Sequence, residues 1–169
     1  MSAGSAPAGR EFNDMVLADL ILSRAETQPD LDVLTFEHLS LDGGATPDEV
    51  RTFSDLHLNG NAIAAWLVAK GLTVGDRVAL MMRNHPEYVE TLIGASVAGV
   101  CLVPVDPRTK GDKLSFVLRD AACRGIICAD YTYPAVKAAI DEGAPLEFVL
   151  VLTSGEEGAA PIQLGGAVS

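Results

Sequence analysis

Basic residues are scarce in this sequence. Its 169 residues contain 12 Lys plus Arg against 23 Asp plus Glu, which gives a formal net charge of −11. The few cations are scattered along the chain and form no continuous stripe. Because a protein that binds nucleic acid must neutralise phosphates with Lys and Arg, we expect no nucleic-acid partner.

Long apolar runs are also absent. No segment approaches the ~20 apolar residues that a membrane-spanning helix needs, so we expect no transmembrane segment. The first eleven residues are small and polar, and they lack the apolar core of a signal peptide. The sequence therefore predicts a disordered tail over 1–11 and one α/β unit over 12–169, in a protein of the cytoplasm.

Paired cysteines and clustered histidines are missing too. Cys101, Cys123 and Cys128 form no CxxC pair and have no histidine nearby, which favours buried free thiols over a metal site or disulfides. The three histidines fall in separate predicted elements without a suggested partner: His38, His57 and His85. The sequence predicts no catalytic residue and no metal ligand.

The sequence does contain apolar residues that recur with helical and strand periods in turn, which indicates a packed core. It is 49% hydrophobic and 21% charged. The segments 77–82, 100–105, 125–129 and 147–152 are too uniformly apolar to face water, and helical stripes separate them. This pattern predicts an α/β fold, doubly wound, with a mostly parallel sheet and flanking helices. The segment 31–53 predicts an N-terminal hairpin that adds antiparallel edge strands to that sheet.

Local signals mark where two of the helices begin and end. Ser54 is the predicted N-cap of a long helix that ends at Gly71. Asn84 is the predicted N-cap of the next helix, with Pro86 in the first turn and Glu87 completing a capping box.

Residues that follow the strands are the candidates for binding, because ligands of doubly wound sheets lie beyond the carboxyl ends of the strands. Asp106 and Pro107 are expected to end a strand and hold a turn. Arg108 is the candidate of most interest, since a guanidinium at a strand exit can fork onto phosphate oxygens. A plain solvent-exposed arginine is the alternative. The remaining candidates are Arg83, Asn84, Asp130, Tyr131 and 153–155.

Three short motifs, at 51–56, 84–87 and 97–107, carry a family resemblance. The first, RTFSDL, is similar to Thr-Tyr-x-Glu-Leu, and the third resembles Lys-Ala-Gly-x-x-x-Val-Pro-Leu-Asp-Pro. Both are motifs of the adenylate-forming superfamily of acyl-CoA ligases, luciferases and peptide-synthetase adenylation domains. The Asn-x-Pro-Glu at 84–87 looks most like fatty-acid and crotonobetaine/carnitine-type CoA ligases. The resemblance extends from about Phe12 to Leu152.

The resemblance implies that the chain is a truncated N-terminal subdomain of an ATP-dependent acyl-CoA ligase. In that family a carboxylate attacks the α-phosphate of Mg²⁺-bound ATP to give an acyl-adenylate, and the CoA thiol then displaces AMP. The resemblance also implies ATP, Mg²⁺ and CoA as cofactors of the full-length enzyme, a CoA-phosphate contact at Arg108, and the rest of the polypeptide as partner. The family's phosphate loop and its lysine lie later, so we expect this part alone to be non-catalytic and prone to self-association.

The segment 153–161 resembles the family's phosphate loop only in part. Glu156 and Glu157 stand where that loop has threonines, and Ile162 stands where it has lysine, so we interpret the segment as an acidic surface loop. Two other classes stay open. One is a self-contained α/β module that uses the scaffold for binding or interaction. The other is a flavodoxin-like nucleotide-binding domain, whose glycine-rich turn the sequence lacks.

Overall fold

The computed structural model describes residues 13, 15–37 and 47–154. The predicted disordered tail and the loop beyond Ser154 lie outside these residues. The described chain contains five helices and six strands, which alternate from β2 onward. In order they are α1 (Leu17–Thr27), β1 (Asp32–Phe36), β2 (Glu49–Thr52), α2 (Phe53–Ala69), β3 (Arg77–Met81), α3 (Pro86–Ala98), β4 (Cys101–Pro104), α4 (Gly111–Asp120), β5 (Gly125–Ala129), α5 (Tyr133–Asp141) and β6 (Phe148–Leu152).

The predicted parallel sheet is confirmed. Its strand order is β4-β3-β5-β6, and each neighbouring pair is parallel. The chain steps from β3 outward to β4 and then crosses back over β3 to β5, so the winding direction reverses between β3 and β5. Ligands of such sheets bind near this reversal, beyond the carboxyl ends of the strands.

Side chains of the strands alternate between two apolar cores, one on each face of the sheet. Ala79 and Met81 of β3 join the core under α4 and α5. Val78 and Leu80 join the core under α2 and α3. Both faces are therefore covered by helices, which explains why the strands are apolar throughout and confirms the doubly wound class.

Helices α2 and α3 pack unusually closely, because each presents a glycine to the other. A Cβ at Gly60 would lie 2.5 Å from Ile93 Cγ2, and one at Gly94 would lie 2.8 Å from the Gly60 carbonyl oxygen. Real side chains do not tolerate such distances. The two glycines therefore fix how the helices sit over one face of the sheet.

Both predicted N-caps are wrong, although the helices themselves are confirmed. Helix α2 is capped by Thr52, whose hydroxyl accepts from the Asp55 N–H at 3.2 Å while the Asp55 carboxylate accepts from the Thr52 N–H at 2.9 Å. This reciprocal pair is a capping box and lies inside the first motif, RTFSDL. At α3 the extended residue before Pro86 is His85, so His85 is the N-cap, with no side-chain cap bond.

The hairpin is confirmed, but its predicted place at the edge of the main sheet is wrong. Strands β1 and β2 pair antiparallel in a separate two-stranded sheet. Arg51 of β2 donates to the buried carboxylate of Glu90 on α3 at 2.8 Å, and Asn59 of α2 donates to the same oxygen at 2.8 Å. These bonds hold the hairpin against the helical layer and away from the strand edges.

Two further findings bear on the sequence predictions. No helix in the described part of the chain is long and apolar enough to cross a membrane. All three cysteines are free, and Cys123 and Cys128 are buried as predicted. Burial raises the pKa of the Cys128 thiol to about 12, which makes it unreactive. Cys101 is exposed, against the prediction, because it opens the edge strand β4, which pairs only with β3 among the described strands.

Candidate binding cleft at the carboxyl end of the sheet

A cleft of about 850 Å³ opens beyond the carboxyl ends of β3 and β4. We call it the carboxyl-end cleft. Its volume falls in the range of small-molecule sites, about 300–1,000 Å³. The residues that follow β3 and β4 form its floor, and the end of the hairpin and α3 form its other walls. The lining residues are Phe36, Glu37, Met82, Arg83, Asn84, Tyr88 and 104–108.

Arg108, the arginine singled out from the sequence, lies at this cleft and is held by Asp106. Its Nε donates to Asp106 Oδ1 at 3.0 Å and its Nη2 to Oδ2 at 2.7 Å, while its backbone N–H donates to Oδ1 at 2.8 Å. The Arg108 side chain is nonetheless 90% exposed. Hydrogen bonds from its side chain and backbone hold the pKa of Asp106 well below its usual range. The pair is therefore an oriented cation in contact with solvent.

Asp106 holds the predicted turn, although β4 itself ends two residues earlier, at Pro104. Its carboxylate accepts the Arg108 N–H two residues later, which is the bond of an Asx turn, and its carbonyl accepts the Thr109 N–H at 2.9 Å. Pro107 lies between the two bonded positions. The Asp-Pro pair, which ends the third sequence motif, thus sets the position of the arginine that follows it.

Tyr131 occupies the point where the winding of the sheet reverses. Its hydroxyl accepts the backbone N–H of Arg83 at 2.6 Å and lies 2.9 Å from His85 Nε2. The Arg83 guanidinium stacks over its ring at 4.7 Å from the centroid. Phe36, at the end of β1, stacks on the His85 ring with centroids 5.8 Å apart. Tyr131, which follows β5, therefore contacts Arg83 and His85, which follow β3.

Asp130 fastens the chain that leaves β6. Its buried carboxylate accepts the Ser154 hydroxyl at 2.6 Å, the Ser154 N–H at 3.0 Å and the Tyr131 N–H at 2.8 Å. Burial by itself raises the pKa of Asp130, but the hydrogen bonds from Ser154 and Tyr131 outweigh it, and the net pKa is lowered. Asp130 is thus a charged anchor for the start of the segment at 153–161.

The structure brings most of the sequence candidates to one end of the sheet, in two groups. Arg83, Asn84 and Arg108 line the cleft, whereas Asp130 and Tyr131 serve as anchors beside it. Asn84 is a cleft residue and no helix cap. Sequence reasoning found no partner for His85, yet its ring lies between Phe36 and Tyr131. No local signal could reveal this, because Phe36 and Tyr131 lie 49 and 46 residues away along the chain.

Metal ligands are not gathered anywhere in the described part of the chain. No group of three His, Cys, Asp or Glu side chains lies close enough there to hold an ion. Guanidinium groups line the carboxyl-end cleft, and such groups bind carboxylates and phosphates.

Known proteins of related sequence include a peptide synthetase and a CoA ligase. The chain is 36% identical over 89 residues to a nonribosomal peptide synthetase of Ceriporiopsis subvermispora, covering 53% of this chain and 4% of that protein. It is 32% identical over 87 residues to a long-chain-fatty-acid–CoA ligase of Mycobacterium tuberculosis, covering 52% of this chain and 17% of that protein. The chain thus spans less than a fifth of the length of either relative.

A solved structure shares the fold over nearly the whole chain. It is a long-chain-fatty-acid–CoA ligase from Archaeoglobus fulgidus, with a TM-score of 0.73 and 21% identity, covering 89% of this chain and 29% of that one. The family model described as AMP-binding enzyme matches residues 22–163, which include both core layers and the carboxyl-end cleft. The chain belongs to the AMP-binding enzyme family.

Proposed function

We propose that the chain is the N-terminal part of an ATP-dependent acyl-CoA ligase, and that the carboxyl-end cleft receives the phosphates of CoA. The observation that carries the proposal is Arg108, an exposed guanidinium held by Asp106 at the mouth of the cleft. A guanidinium suits this task because its N–H donors match phosphate oxygens two at a time. Family membership and the CoA-ligase relatives support the same reaction class.

The charge and the position of Arg108 support the binding of CoA phosphates. Arg108 follows β4 and so lies beyond the carboxyl end of the sheet, where ligands of such folds bind. Asp106 accepts hydrogen bonds from two of the five N–H donors of the Arg108 guanidinium. The guanidinium keeps further donors on its other edge. When bound, CoA supplies the thiol that accepts the acyl group. The work of this part of the protein is to hold the nucleotide half of CoA, away from the reacting thiol.

ATP and Mg²⁺ are bound elsewhere in the proposed enzyme. The phosphate loop and the lysine of the family, which the resemblance places later in the sequence, are the groups proposed to bind ATP. In this proposal the chain of 169 residues alone does not adenylate carboxylates and binds Mg-ATP only weakly, since phosphoryl chemistry needs preorganised cations and donors. Micromolar affinity for Mg-ATP in calorimetry of the 169-residue chain would contradict this part.

The rest of the polypeptide is the proposed partner of β6. This strand pairs only with β5 among the described strands, and its residues from Val149 to Leu152 are only half-buried. An uncovered apolar strand tends to associate. The 169-residue chain is therefore expected to self-associate with rising concentration in sedimentation, and the proposed full-length enzyme is expected to act in the cytoplasm.

Pyrophosphate release and thioester formation by the intact protein test the proposed function. The assay supplies Mg-ATP and a panel of carboxylic acids, from short to long fatty acids together with aromatic and amino acids, and then adds CoA. The proposal predicts pyrophosphate release that depends on one class of acid, followed by an acyl-CoA thioester. Adenylation without transfer to CoA, but with transfer to a carrier-protein thiol, would move the protein toward its peptide-synthetase relatives and reject the CoA acceptor.

A further inference from the structure

The outer face of α2, opposite the core, is apolar. Every exposed residue of this helix is apolar: Leu58, Ala62, Ala65, Val68 and Ala69. Asp55, in the first turn, is the only Asp, Glu, Lys or Arg in the helix. A surface helix carries charged residues on its outer face, whereas a helix that is apolar on all sides is buried in its protein. The outer face of α2 therefore has the composition of a covered surface.

A cavity of about 390 Å³ adjoins this face, and we call it the β6 cavity. Its lining comes from α2, α3 and the ends of β5 and β6. Ala62 belongs both to the outer face of α2 and to the wall of the cavity, and residues 150–152 of β6 form another wall. Among the described strands, β6 pairs only with β5. The face and the cavity thus form one surface, at whose rim the chain leaves β6.

A buried carboxylate lines the β6 cavity with one oxygen unpaired. The side chain of Glu90 is only 6% exposed, and its Oε1 accepts from Arg51 Nε and Asn59 Nδ2, each at 2.8 Å. No described residue donates to its Oε2. Every fully enclosed side-chain nitrogen or oxygen in the described residues has a partner, so Oε2 is open to the cavity that Glu90 lines. Covering this oxygen without a donor would be costly.

The charges of the β6 cavity favour a cation as that donor. Two carboxylates line the cavity, those of Glu87 and Glu90, against the single guanidinium of Arg51. Arg51 is already shared, because its Nη2 lies 3.1 Å from the Glu49 carboxylate while its Nε donates to Glu90. The lining therefore keeps an excess negative charge, which suits an ammonium or guanidinium group.

We propose that the polypeptide beyond residue 169 covers the outer face of α2 with an apolar element and places one Lys or Arg side chain in the β6 cavity, paired with Glu90 Oε2. This inference rests on the proposed function, because it assumes that the chain continues into the rest of a ligase. The matched part of the Mycobacterium tuberculosis CoA ligase is only 17% of that protein, so such an enzyme has ample length for the cover. Residues 155–169 contain no Lys or Arg, so the base comes from beyond them.

Thiol labelling of the intact protein tests whether the face is covered. Cys101→Ser first removes the exposed native thiol. In that background, Ala62→Cys places a thiol on the cavity wall, and Ala138→Cys places one at an exposed position of α5 on the other side of the sheet. We expect a maleimide to react at least roughly tenfold more slowly at position 62 than at position 138, because only the former is covered.

Two results of this labelling would overturn the proposal. Equal rates at the two positions would show that the face of α2 is open in the intact protein. Protection of position 62 that disappears on dilution would show that a second copy of the protein covers it. Protection by the same polypeptide does not change with protein concentration.

Glu90→Gln tests the charged pair. The amide oxygen of the new side chain can still accept from Asn59, which turns its NH₂ group toward the proposed cation. We expect labelling at position 62 to become roughly tenfold faster, because the cover opens more often. Arg51→Gln is the matched control, since it breaks the same internal ion pair but leaves the Glu90 carboxylate to the cover. It should leave labelling at position 62 unchanged. Equal acceleration by both variants would mean that Glu90 only fastens the hairpin, and it would exclude the basic partner.

Thioester formation by the same wild-type preparation separates this inference from the function on which it rests. If the intact protein forms no thioester with CoA, the proposed function fails. If it forms the thioester while position 62 reacts as fast as position 138, only the inference about the covered face fails.

Discussion

The two ends of the parallel sheet use arginine in opposite ways. At the amino end, Arg124 donates to Asp76 at 2.7 Å, to both carboxylate oxygens of Glu147 at 2.8 and 2.7 Å, and to the Gly71 carbonyl at 3.0 Å. At the carboxyl end, Arg108 donates to one carboxylate and keeps 90% of its side chain exposed, against 30% for Arg124. One guanidinium joins three segments, and the other faces a cleft.

This difference separates stability from binding within one fold. The amino end ties together the loops before β3 and the starts of β5 and β6, so its charges are used inside the protein. At the carboxyl end Asp130 and Tyr131 are the anchors, and the Arg108 side chain at the cleft faces solvent. The comparison predicts that changes at the amino end alter unfolding, whereas changes in the cleft alter the affinity for CoA.

The largest expected effect is at Gly125, where β5 begins. A Cβ there would overlap the ring of Phe148 on the neighbouring strand. Gly125→Ala should lower the free energy of unfolding by about 2–3 kcal/mol, because the ring must leave its place in the core. Urea unfolding measures this loss, and the double variant with Phe148→Leu should lose less than the sum of the single changes. Strict additivity would contradict the overlap.

Asp130, at the other end of β5, tests whether the carboxyl end also has a structural anchor. Asp130→Asn should cost about 1 kcal/mol at neutral pH, since it weakens the bonds from Ser154. The pKa of Asp130 is lowered by folding, so its carboxylate stabilises the protein above about pH 4. The gap between wild type and variant should close as pH falls through the lowered pKa. A gap that stays constant down to pH 2 would exclude the charge as its cause.

Arg108→Ala tests the binding half of the comparison. The intact variant should show a roughly tenfold higher KM for CoA, with pyrophosphate release in the absence of CoA near the wild-type rate. Its unfolding should be unchanged, because the side chain is almost fully exposed. If adenylate formation falls by the same factor as CoA use, Arg108 is not a CoA contact.

The smallest expected effect comes from the Arg124 network at the amino end. Arg124→Gln should lower Tm by less than Gly125→Ala does, with no change in the KM for CoA. Hydrogen bonds from Arg124 lower the pKa of Glu147, and those from Thr73 and Arg124 lower the pKa of Asp76. The two carboxylates therefore stabilise the fold above their unfolded pKa values near 4, and this stabilisation is lost as pH falls below them. Thermal melts from pH 2 to 7 should show a flatter acid limb in the variant.

Local patterns predicted the layers of this fold well. The strand at 125–129 is found at its predicted residues, because a fully buried strand needs an unbroken apolar run. Gly71 and Gly99 follow their helices with φ of 78° and 71°, a conformation that favours glycine. The caps failed because neighbouring residues compete for one position: Thr52 stands two residues before Ser54, and Pro86 forces the cap onto His85.

The candidate site was predictable only in part. Arg108 was found because its partner lies two residues away and its motif ends a strand. The hydrogen bond between Tyr131 and Arg83 joins residues that are 48 positions apart in the sequence. The hydrogen bond between Asp130 and Ser154 joins residues that are 24 positions apart. Such contacts depend on which strands become neighbours, and a local pattern contains no record of strand order.

Competition by adenosine 3′,5′-bisphosphate, the nucleotide end of CoA without its thiol arm, tests the central claim most directly. Its inhibition constant against CoA is measured in the thioester assay with the intact wild type, Arg108→Ala and Arg124→Ala. We predict competitive inhibition that weakens roughly tenfold in Arg108→Ala and is unchanged in Arg124→Ala. Equal inhibition of all three proteins would contradict the assignment of CoA binding to the carboxyl end of the sheet.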